Sequence, residues 1–332
     1  MNVLVLGGSR QIGLHLVRLL HSQGHTVTVL NRGQTQVSLP TDVNKIIADR
    51  SVAEQVKTIL DGRGYDTVFD ISGYRPSEIE PVLDALEGNV RHYVFCSTVA
   101  VYSPKINAMP IFEDSPLNRH QDADDYSREK ILCEDLLVER FNRSGFPVTI
   151  VRPPYVYGPH DQLERRIFSI FARLSLGRKL IAPGEGHALT HTVHVDDLTS
   201  AFAAISGRAD VLGQVFNVAG LEAVTFNDYV DLIAKIMGVE PQLVRVSVTD
   251  YEEMLEALTP IYSHEICDLG WKESVIYSTE GIRTQLPWLP KYDISSGIEM
   301  TYKWWLDQKL DREPWDWSAD ERALAWFETR QR

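Results

Sequence analysis

The sequence predicts an α/β fold in which a doubly wound parallel sheet is followed by a smaller C-terminal lobe. In the first half of the chain, short apolar runs alternate with segments whose apolar residues recur at helical spacing. Such strand–helix–strand alternation is typical of a parallel sheet with helices on both faces. After about Arg152 the alternation loosens and proline and glycine become denser. This change indicates a second architecture in the C-terminal half.

The elements of the first half follow from apolar periodicity and turn residues. Ile12–His21 is predicted as a helix because its apolar residues share one face, and Gly24 ends it. Pro76–Leu86 begins with a proline, which suits the first position of a helix. The predicted strands are Val3–Leu6, Thr26–Leu30, Lys45–Ala48, Thr67–Ile71, Val90–Phe95 and Val148–Val151, and the other predicted helices are Ser51–Leu60 and Tyr126–Arg143.

The 332-residue length suggests about two domains, at roughly 150 residues each. We expect residues 1–152 to form the first, with its sheet completed by later segments near 192–218, and residues 153–332 to form mainly a substrate-binding lobe. In the second half, helices are predicted near Leu163–Leu176 and Asn227–Met237, and strands near Leu180–Ala182, Thr192–Val195 and Val215–Val218.

Composition excludes several classes of protein. The formal net charge is −13, which disfavours general binding of a phosphate backbone. Three widely spaced cysteines, Cys96, Cys133 and Cys267, predict buried free thiols and neither a disulfide framework nor a metal site. No apolar run reaches the roughly 18 residues that a membrane span needs. We therefore expect a cytoplasmic protein without a membrane partner.

A glycine-rich loop joins the first predicted strand to the first helix. It consists of Gly7, Gly8, Ser9, Arg10, Gln11, Ile12 and Gly13. Glycine allows a sharp turn and a close approach to a pyrophosphate, and the amides at the helix start point at the negative charge. The strand–loop–helix context predicts a dinucleotide site in a Rossmann-like domain. The alternative is an ordinary tight turn.

The end of the second strand bears on the choice of dinucleotide. An acidic residue at this point would hold the ribose hydroxyls of NAD, but the chain has Asn31 followed by the cation Arg32. Arg32 and Arg10 could clamp a 2′-phosphate, which favours NADP, with NAD as the alternative. Asp49 and Arg50 follow the third strand and are candidates for the adenine edge; a surface ion pair is the alternative.

Tyr126 and Lys130 stand four residues apart at the start of a long predicted helix, so both lie on one face. A phenol has a pKa near 10 and is a poor base at neutral pH, but a neighbouring ammonium stabilises the phenolate and lowers that pKa. Lys130 could also bind a ribose. The pair predicts proton exchange with an alcohol or carbonyl while a nicotinamide ring carries hydride.

Together these features resemble the extended short-chain dehydrogenase/reductase superfamily, specifically the NAD-dependent epimerase/dehydratase family. The resemblance covers about residues 1–240. It also rests on three further segments, Phe95–Tyr102, Val151–Pro159 and His194–Asp197. The Gly-Gly-x-Arg-x-x-Gly loop resembles a subgroup that includes plant chloroplast stem-loop-binding proteins. The resemblance implies that Thr98 is the third catalytic residue, orienting the substrate oxygen, and that Pro153 lies beside the nicotinamide.

Departures from the family pattern narrow the expected function. Sugar 4,6-dehydratases of the family carry Thr-Asp-Glu where this chain reads Thr98-Val99-Ala100, so elimination of water lacks its usual acid and base. Nucleotide-sugar enzymes often have Arg-Asp where this chain has Thr190-His191, and Asn where it has Tyr155. These changes remove expected contacts to a nucleotide diphosphate.

We therefore expect an NAD(P)-dependent epimerase or oxidoreductase that acts on a secondary alcohol or ketone of a sugar-like substrate. Tyr126 is its predicted general acid/base, with Lys130 and Thr98 as partners, and no metal is expected. One alternative is an NADPH-dependent ketone reductase for a non-sugar metabolite. Another is a non-catalytic, RNA-associated protein on the same fold, although the acidic charge makes nucleic acid an unlikely partner. A homodimer is possible through the predicted helices Pro76–Leu86 and Tyr126–Arg143.

Overall fold

The structure is a computed structural model, and it describes residues 1–121, 123–161, 166–258 and 272–330. Its strands are β1 (Asn2–Leu6), β2 (Thr26–Asn31), β3 (Asn44–Ile47), β4 (Thr67–Asp70), β5 (Tyr93–Cys96), β6 (Val148–Arg152), β7 (Tyr155–Tyr157), β8 (Lys179–Pro183), β9 (Leu189–His194), β10 (Val215–Asn217), β11 (Ala223–Thr225) and β12 (Gln242–Val246). Its α-helices are α1 (Gln11–Ser22), α2 (Ala53–Leu60), α3 (Pro76–Leu86), α4 (Asp125–Ser144), α5 (Arg166–Ser175), α6 (Val195–Ile205), α7 (Phe226–Met237), α8 (Val248–Ala257), α9 (Glu280–Gln285), α10 (Ile294–Asp307) and α11 (Ser318–Arg330).

A seven-stranded sheet organises the first half of the chain. Its order is β10-β6-β5-β4-β1-β2-β3, and every pair in it is parallel. This arrangement confirms the predicted doubly wound α/β fold. The strand order reverses between β1 and β4, because the chain first builds outward to β3 and then returns to the other side of β1. Ligands of such sheets bind beyond the carboxyl ends of the strands at this reversal.

Side chains alternate between the two faces of the sheet, and each face is covered by helices. Val3 and Val5 of β1 join an apolar cluster with residues of α1 and α6. Leu4 and Leu6 join a second cluster with residues of α2, α3 and α4. Because both faces are buried, the strands need to be apolar throughout, which explains the continuous apolar runs of the sequence.

Two smaller sheets lie outside the main one, with orders β11-β9-β7 and β12-β8. Of the later segments expected to complete the main sheet, Val215–Asn217 does so, in register with Ile150–Arg152. The strand predicted near Thr192–Val195 was wrongly placed there: it is β9, and it pairs antiparallel with β11. β10 pairs with the edge of β6, whereas β9 lies between β11 and β7 in the separate sheet.

Contacts divide the chain into two compact units. The first comprises Met1–Val156, Val193–Ala219 and Tyr277–Lys291. The second comprises Tyr157–Thr192, Gly220–Ile276 and Tyr292–Arg332. Within the second unit, Trp305 is buried against the aromatic rings of Phe171 and Tyr302. A buried ion pair there joins Arg173 to Asp320 at 2.7 Å.

The structure also bears on the predicted cysteines, helix α5, membrane spans and metal sites. Cys96 and Cys133 are free, buried thiols, whereas Cys267 lies outside the described residues. The predicted helix near Leu163–Leu176 is α5, and its expected first residues also lie outside them. Over the described ranges, no helix is long and apolar enough to cross a membrane. The same ranges contain no group of three or more His, Cys, Asp or Glu side chains that could hold a metal ion.

Candidate active site

Register places the predicted site residues along one edge of the main sheet. Leu6 at the end of β1 pairs with Leu30 of β2 on one side and with Asp70 of β4 on the other. Cys96 at the end of β5 pairs with Val151 of β6. The loops that follow these strands therefore begin at the same carboxyl edge. The glycine-rich segment, Thr98 and Pro153 lie in or begin at these loops, and Asn31 is the last residue of β2.

The glycine-rich loop folds tightly onto itself and its neighbours. Gly7 has a φ of 96°, a conformation that favours glycine, and a Cβ there would lie 2.7 Å from the Cβ of Ser72. A Cβ on Gly13 would lie 2.1 Å from the carbonyl oxygen of Gly7. A Cβ on Gly8 would lie 2.9 Å from side-chain carbons of Val17 and Val29. The loop thus permits close contact of helix α1 with β1.

The start of α1 suits an anion. Arg10 is its N-cap residue, and over the described ranges its side chain makes no capping hydrogen bond. The first turn carries no acidic residue. Helix-initial amides lack intrahelical acceptors, so amides at this end of α1 are suited to a phosphate. These residues fit the pyrophosphate of a dinucleotide, and Arg10, which is exposed, adds a cation.

Asn31, Arg32 and Asp49 lie together at the ends of β2 and β3. The side-chain oxygen of Asn31 accepts a hydrogen bond from the amide of Gly33 at 2.9 Å, which fixes the turn. Arg32 is exposed. Hydrogen bonds from Ser51, with a smaller contribution from the charge of Arg32, hold the pKa of the Asp49 carboxyl below its usual value. At this site the exposed cation is therefore Arg32, and the neighbouring Asp49 carboxylate is hydrogen-bonded to Ser51 in its own loop.

Arg50 is buried and takes part in an internal charge cluster. It donates two hydrogen bonds to the Asp70 carboxylate, at 2.5 and 2.6 Å, one to Ser72 and two to the carbonyl of Glu78. Its five N–H groups are thereby satisfied. Burial opposes the charges of both partners, but their pairing prevails and holds the pKa of Asp70 below and that of Arg50 above their usual values. Contact of Arg50 with an adenine remains only a prediction.

Tyr126 and Lys130 lie in the first turns of α4. The helix is capped by Asp124, whose carboxylate accepts from the amide of Ser127 at 2.9 Å. Tyr126 is 43% exposed, whereas Lys130 is 2% exposed. The half-exposed phenol therefore precedes the buried ammonium by about one helical turn.

The Lys130 ammonium is held by main-chain oxygens at the carboxyl edge of the sheet. It donates to the carbonyls of Gly73 and Cys96, both at 2.7 Å. Two of its three N–H groups are thus bound to described residues, which leaves the third for a ligand hydroxyl. Burial lowers the pKa of Lys130, while the thiol of Cys96 and the carboxylate of Asp70 act in the opposite direction.

Thr98 and Pro153 are fixed to each other through the backbone between β5 and β6. The amide of Val99 donates to the carbonyl of Pro153 at 3.0 Å. The Thr98 hydroxyl accepts from the amide of Ala100 at 3.1 Å, which leaves its own proton for another acceptor. Thr98 is 9% exposed.

Sequence reasoning missed a buried ion pair behind these residues. Arg152 donates to both carboxylate oxygens of Glu134, at 3.0 and 2.5 Å, and the Ser97 hydroxyl donates to the same carboxylate at 2.5 Å. Burial disfavours the charge of Arg152, yet Glu134 raises its pKa. Spacing is the signal that could have found Glu134, because it follows Lys130 by four residues on the same face of α4.

Comparison with known proteins decides the family. The family model described as NAD dependent epimerase/dehydratase family matches residues 3–219, which extend from the second residue of β1 past the end of β10. The chain belongs to the NAD dependent epimerase/dehydratase family. It is accordingly an enzyme of the nicotinamide-dependent epimerase/dehydratase type, and the family expected from the sequence motifs is confirmed.

Curated relatives of the family differ in what their names describe. The chain is 29% identical, over 97% of its length and 84% of the relative's, to chloroplast stem-loop binding protein of 41 kDa b of Arabidopsis thaliana. That relative is a plant chloroplast stem-loop-binding protein, the type of protein whose subgroup the Gly-Gly-x-Arg-x-x-Gly loop resembles. The chain is 27% identical to dTDP-D-glucose 4,6-dehydratase of Mus musculus, over 62% of this chain and 58% of the relative.

Solved structures of the family share the fold. A dTDP-glucose 4,6-dehydratase from Bacillus anthracis, in complex with NAD, aligns with a TM-score of 0.77 and 18% identity over 93% of this chain and 98% of that one. A UDP-glucose 4-epimerase from Thermotoga maritima, with UDP-glucose, aligns with a TM-score of 0.77 and 20% identity over 93% of this chain and 100% of that one. At these identities the likeness shows the fold alone.

Proposed function

We propose that the chain oxidises or reduces a secondary alcohol or ketone on a sugar-like substrate, with Tyr126 as general acid/base. The observation that carries this proposal is the arrangement at the start of α4, where a 43% exposed phenol precedes a 2% exposed ammonium by one helical turn. Thr98, at the end of the neighbouring β5, supplies a hydroxyl proton for the substrate oxygen. Lys130 acts on Tyr126 electrostatically and offers its third N–H to the nicotinamide ribose.

The proton and the hydride leave the substrate separately. Nicotinamide, when bound, supplies the acceptor or donor of hydride. In the oxidative direction, the Tyr126 phenolate accepts the proton of the substrate hydroxyl as the hydrogen on the same carbon departs with its electron pair. In the reductive direction, the Tyr126 phenol returns that proton to the alkoxide. Lys130 stabilises the phenolate, since an opposite charge nearby favours the ionised form.

A sugar nucleotide is the first substrate class to test. The dTDP-D-glucose 4,6-dehydratase relative and a probable GDP-L-fucose synthase 1 of rice, 25% identical over 93% of both chains, support this class. Two departures from the family pattern count against the usual contacts to the diphosphate of a sugar nucleotide. They are Thr190-His191 in place of Arg-Asp, and Tyr155 in place of Asn. Dehydration is disfavoured because Val99 and Ala100 stand where an acid and a base would be needed.

Epimerisation and net reduction use the same residues, and they differ in what happens to the dinucleotide. An epimerase returns the hydride to the opposite face and retains its dinucleotide, whereas a reductase consumes NADPH. The ketone of a non-sugar metabolite is the alternative substrate for a reductase. Absorbance at 340 nm distinguishes the two, because only net reduction depletes added NADPH.

The experiment that tests the proposal compares the same substitution at opposite edges of the sheet. Tyr126→Phe removes the acid/base hydroxyl and is expected to lower turnover of nucleotide-sugar or ketone substrates by about 10²–10⁴-fold. Tyr65→Phe, before β4 at the amino edge, is the matched control and should keep full turnover. Dinucleotide binding should persist in both variants. Unchanged turnover in Tyr126→Phe would overturn the acid/base role.

We further propose that NADP is the preferred dinucleotide, through Arg10 and Arg32. Both side chains are exposed at the edge where the 2′-phosphate would lie, and charge-assisted bonds to phosphate are strong. Arg32→Ala should weaken NADPH binding by about tenfold and leave NADH binding unchanged. Arg91→Ala, whose side chain is 85% exposed elsewhere on the same unit, is the control. Tighter wild-type binding of NADH than of NADPH would contradict the preference.

Association with stem-loop RNA is a second candidate. The Arabidopsis relative, whose name describes stem-loop binding and which matches 97% of this chain, favours it. The net charge of −13 counts against it. A gel-shift titration with a stem-loop RNA at physiological salt tests whether the chain binds RNA. Micromolar binding that weakens steeply with salt would support this candidate, and no shift would dismiss it.

A homodimer through α3 and α4 remains a proposal. Leu132 of α4 is 49% exposed and could contact a second copy. Ile131 and Leu137 of the same helix are buried. Sedimentation of the wild type and of Leu132→Lys tests the proposal, because a charge in such an interface should produce monomers. A monomeric wild type would exclude it.

A further inference from the structure

An exposed aromatic side chain lies over the buried ammonium of the site. The ring of Tyr74 has its centroid 4.9 Å from the Lys130 nitrogen and 6.2 Å from the centroid of the Tyr126 ring. Tyr74 is 47% exposed, while Lys130 is 2% exposed. The ring of Phe95 faces the same nitrogen at 4.8 Å. Aromatic faces attract cations at these distances.

The backbone around Tyr74 is fixed on both sides. The carbonyl of Gly73 accepts from Lys130, and the amide of Tyr74 donates to the Glu78 carboxylate at 2.8 Å. The amide of Arg75 donates to the same carboxylate at 3.2 Å. A Cβ on Gly73 would lie 2.5 Å from a methyl carbon of Ile79, so this turn is closely packed against α3. The segment therefore holds Tyr74 in place at the edge of the site.

We propose that Tyr74 is a positioning residue whose ring shields the Lys130 ammonium from water and thereby strengthens its action on Tyr126. This inference rests on the proposed function. The physical reason is dielectric, because the interaction between two charges weakens as water replaces protein around them. Tyr74 contributes through its ring, and its hydroxyl is not required.

The other groups around Lys130 are buried and would be poor sites for a test. Removing Asp70 would break its pairs with Arg50 and Tyr93, and removing Phe95 would open the core. Tyr74 is half-exposed, so its ring can be removed without cutting that network. The titratable groups that act on Lys130 from the packed elements are Cys96, Asp70 and Arg50, and Cys133 acts on it from its own helix. Asp125 and Glu129 flank Tyr126 on that helix.

The first experiment follows ionisation of Tyr126 by ultraviolet difference titration. In each background, subtracting the spectrum of the Tyr126→Phe variant isolates this one phenol. Tyr74→Leu removes the ring and should raise the Tyr126 transition by about one pH unit. Tyr74→Phe is the matched control, and it should leave the transition where it is in the wild type. Circular dichroism verifies that all variants are folded.

Each result has a separate meaning. An unchanged transition in Tyr74→Leu would overturn the shielding role while leaving the proposed acid/base role intact. An equal shift in Tyr74→Phe would show that the hydroxyl acts, which also overturns it. An ordinary phenol transition for Tyr126 in the wild type would overturn the proposed function and this inference together.

A second measurement reports on Lys130 itself and does not depend on Tyr126. Reductive methylation with formaldehyde and a borohydride-type reductant, followed by mass spectrometry of the peptide, measures how accessible the amine is. Lys130 should react slowly in the wild type and in Tyr74→Phe, and at least about tenfold faster in Tyr74→Leu. Equal rates in all three proteins would contradict shielding by the ring.

Discussion

At the residue scale, Gly13 shows how strictly the nucleotide loop constrains the sequence. Its hypothetical Cβ would approach a main-chain oxygen, that of Gly7, which cannot rotate away as a side chain could. Any substitution must therefore separate α1 from β1. The close approach also explains why glycine recurs in this loop, whereas Arg10 is accepted at its exposed position.

Gly13→Ala should destabilise the protein by about 1–3 kcal/mol and abolish dinucleotide binding, because α1 must move. Gly64→Ala is the matched control, since the nearest atom to its Cβ is a carbonyl oxygen at an ordinary 3.9 Å. Thermal unfolding and fluorescence titration with NADPH measure the two effects. Wild-type binding by Gly13→Ala would contradict the steric argument.

At the residue scale, the sequence is most informative where the signal is local. The glycine loop and the Tyr126–Lys130 spacing could be read from the sequence, because each depends on residues close together in the chain. The partner of Arg50 could not, because Asp70 is 20 residues away and is brought near by pairing of β2 with β3 and β1 with β4. Asp70 ends β4 directly after Val68 and Phe69, and a carboxylate beside this apolar run was the available signal of a buried charge.

At the element scale, α4 is tied to the sheet by ionic contacts as well as by apolar packing. Lys130 reaches the loop after β4 and the last residue of β5, and one turn later Glu134 binds Arg152 of β6. The Ser97 hydroxyl joins the same carboxylate, so Thr98 follows a fixed residue. The helix that carries the proposed acid/base is thereby held against the strand ends that carry its partners.

Glu134→Gln should lower the free energy of unfolding by about 3–5 kcal/mol, because it removes the charge of the carboxylate that pairs with the buried Arg152. Asp135→Asn, the next residue on α4, removes a pair with Arg119 whose side chains are 46% and 56% exposed. That control should cost no more than about 1 kcal/mol. Urea unfolding measures both. Equal losses would mean that burial of the first pair does not matter.

Element boundaries in the first half were largely predictable, and Pro76–Leu86 was predicted to the residue. The placement of β9 was not, because an apolar strand pattern does not say which sheet a strand joins. The partners of β9 are β11 and β7, which come from other parts of the chain. The missed Glu134 is similar, since its partner Arg152 belongs to another element.

At the scale of the whole molecule, buried histidines make stability depend on pH. Burial lowers the pKa of His92 and of His194 from 6.5 to about 4. His92 donates through Nε2 to the hydroxyl of Thr149 at 2.8 Å, since that hydroxyl in turn donates to the carbonyl of Val211. Both rings are therefore neutral in the folded protein at pH 7.

The unfolded chain takes up these protons near pH 6.5, and the folded protein only near pH 4. Folding stability is thus fully present above pH 6.5 and should fall as the pH drops toward 4, by about 3 kcal/mol for each ring. Urea unfolding at pH 7.5, 6 and 5 measures the slope. His92→Gln should flatten it, and the exposed His120→Gln should not. If the pH slope of His92→Gln equalled that of the wild type, burial of His92 would not be a source of the pH dependence.

The central claim is that Tyr126, with Lys130 behind it, faces the reacting carbon of a nicotinamide seated above the glycine loop. A crystal structure of the full chain with NADPH tests it most directly. The account predicts the pyrophosphate against the start of α1, a ribose hydroxyl on Lys130, and room for one carbon–oxygen bond between the Tyr126 hydroxyl and carbon 4 of the nicotinamide. A nicotinamide bound beyond the reach of Tyr126, or a dinucleotide bound away from the Gly7–Gly13 loop, would contradict it.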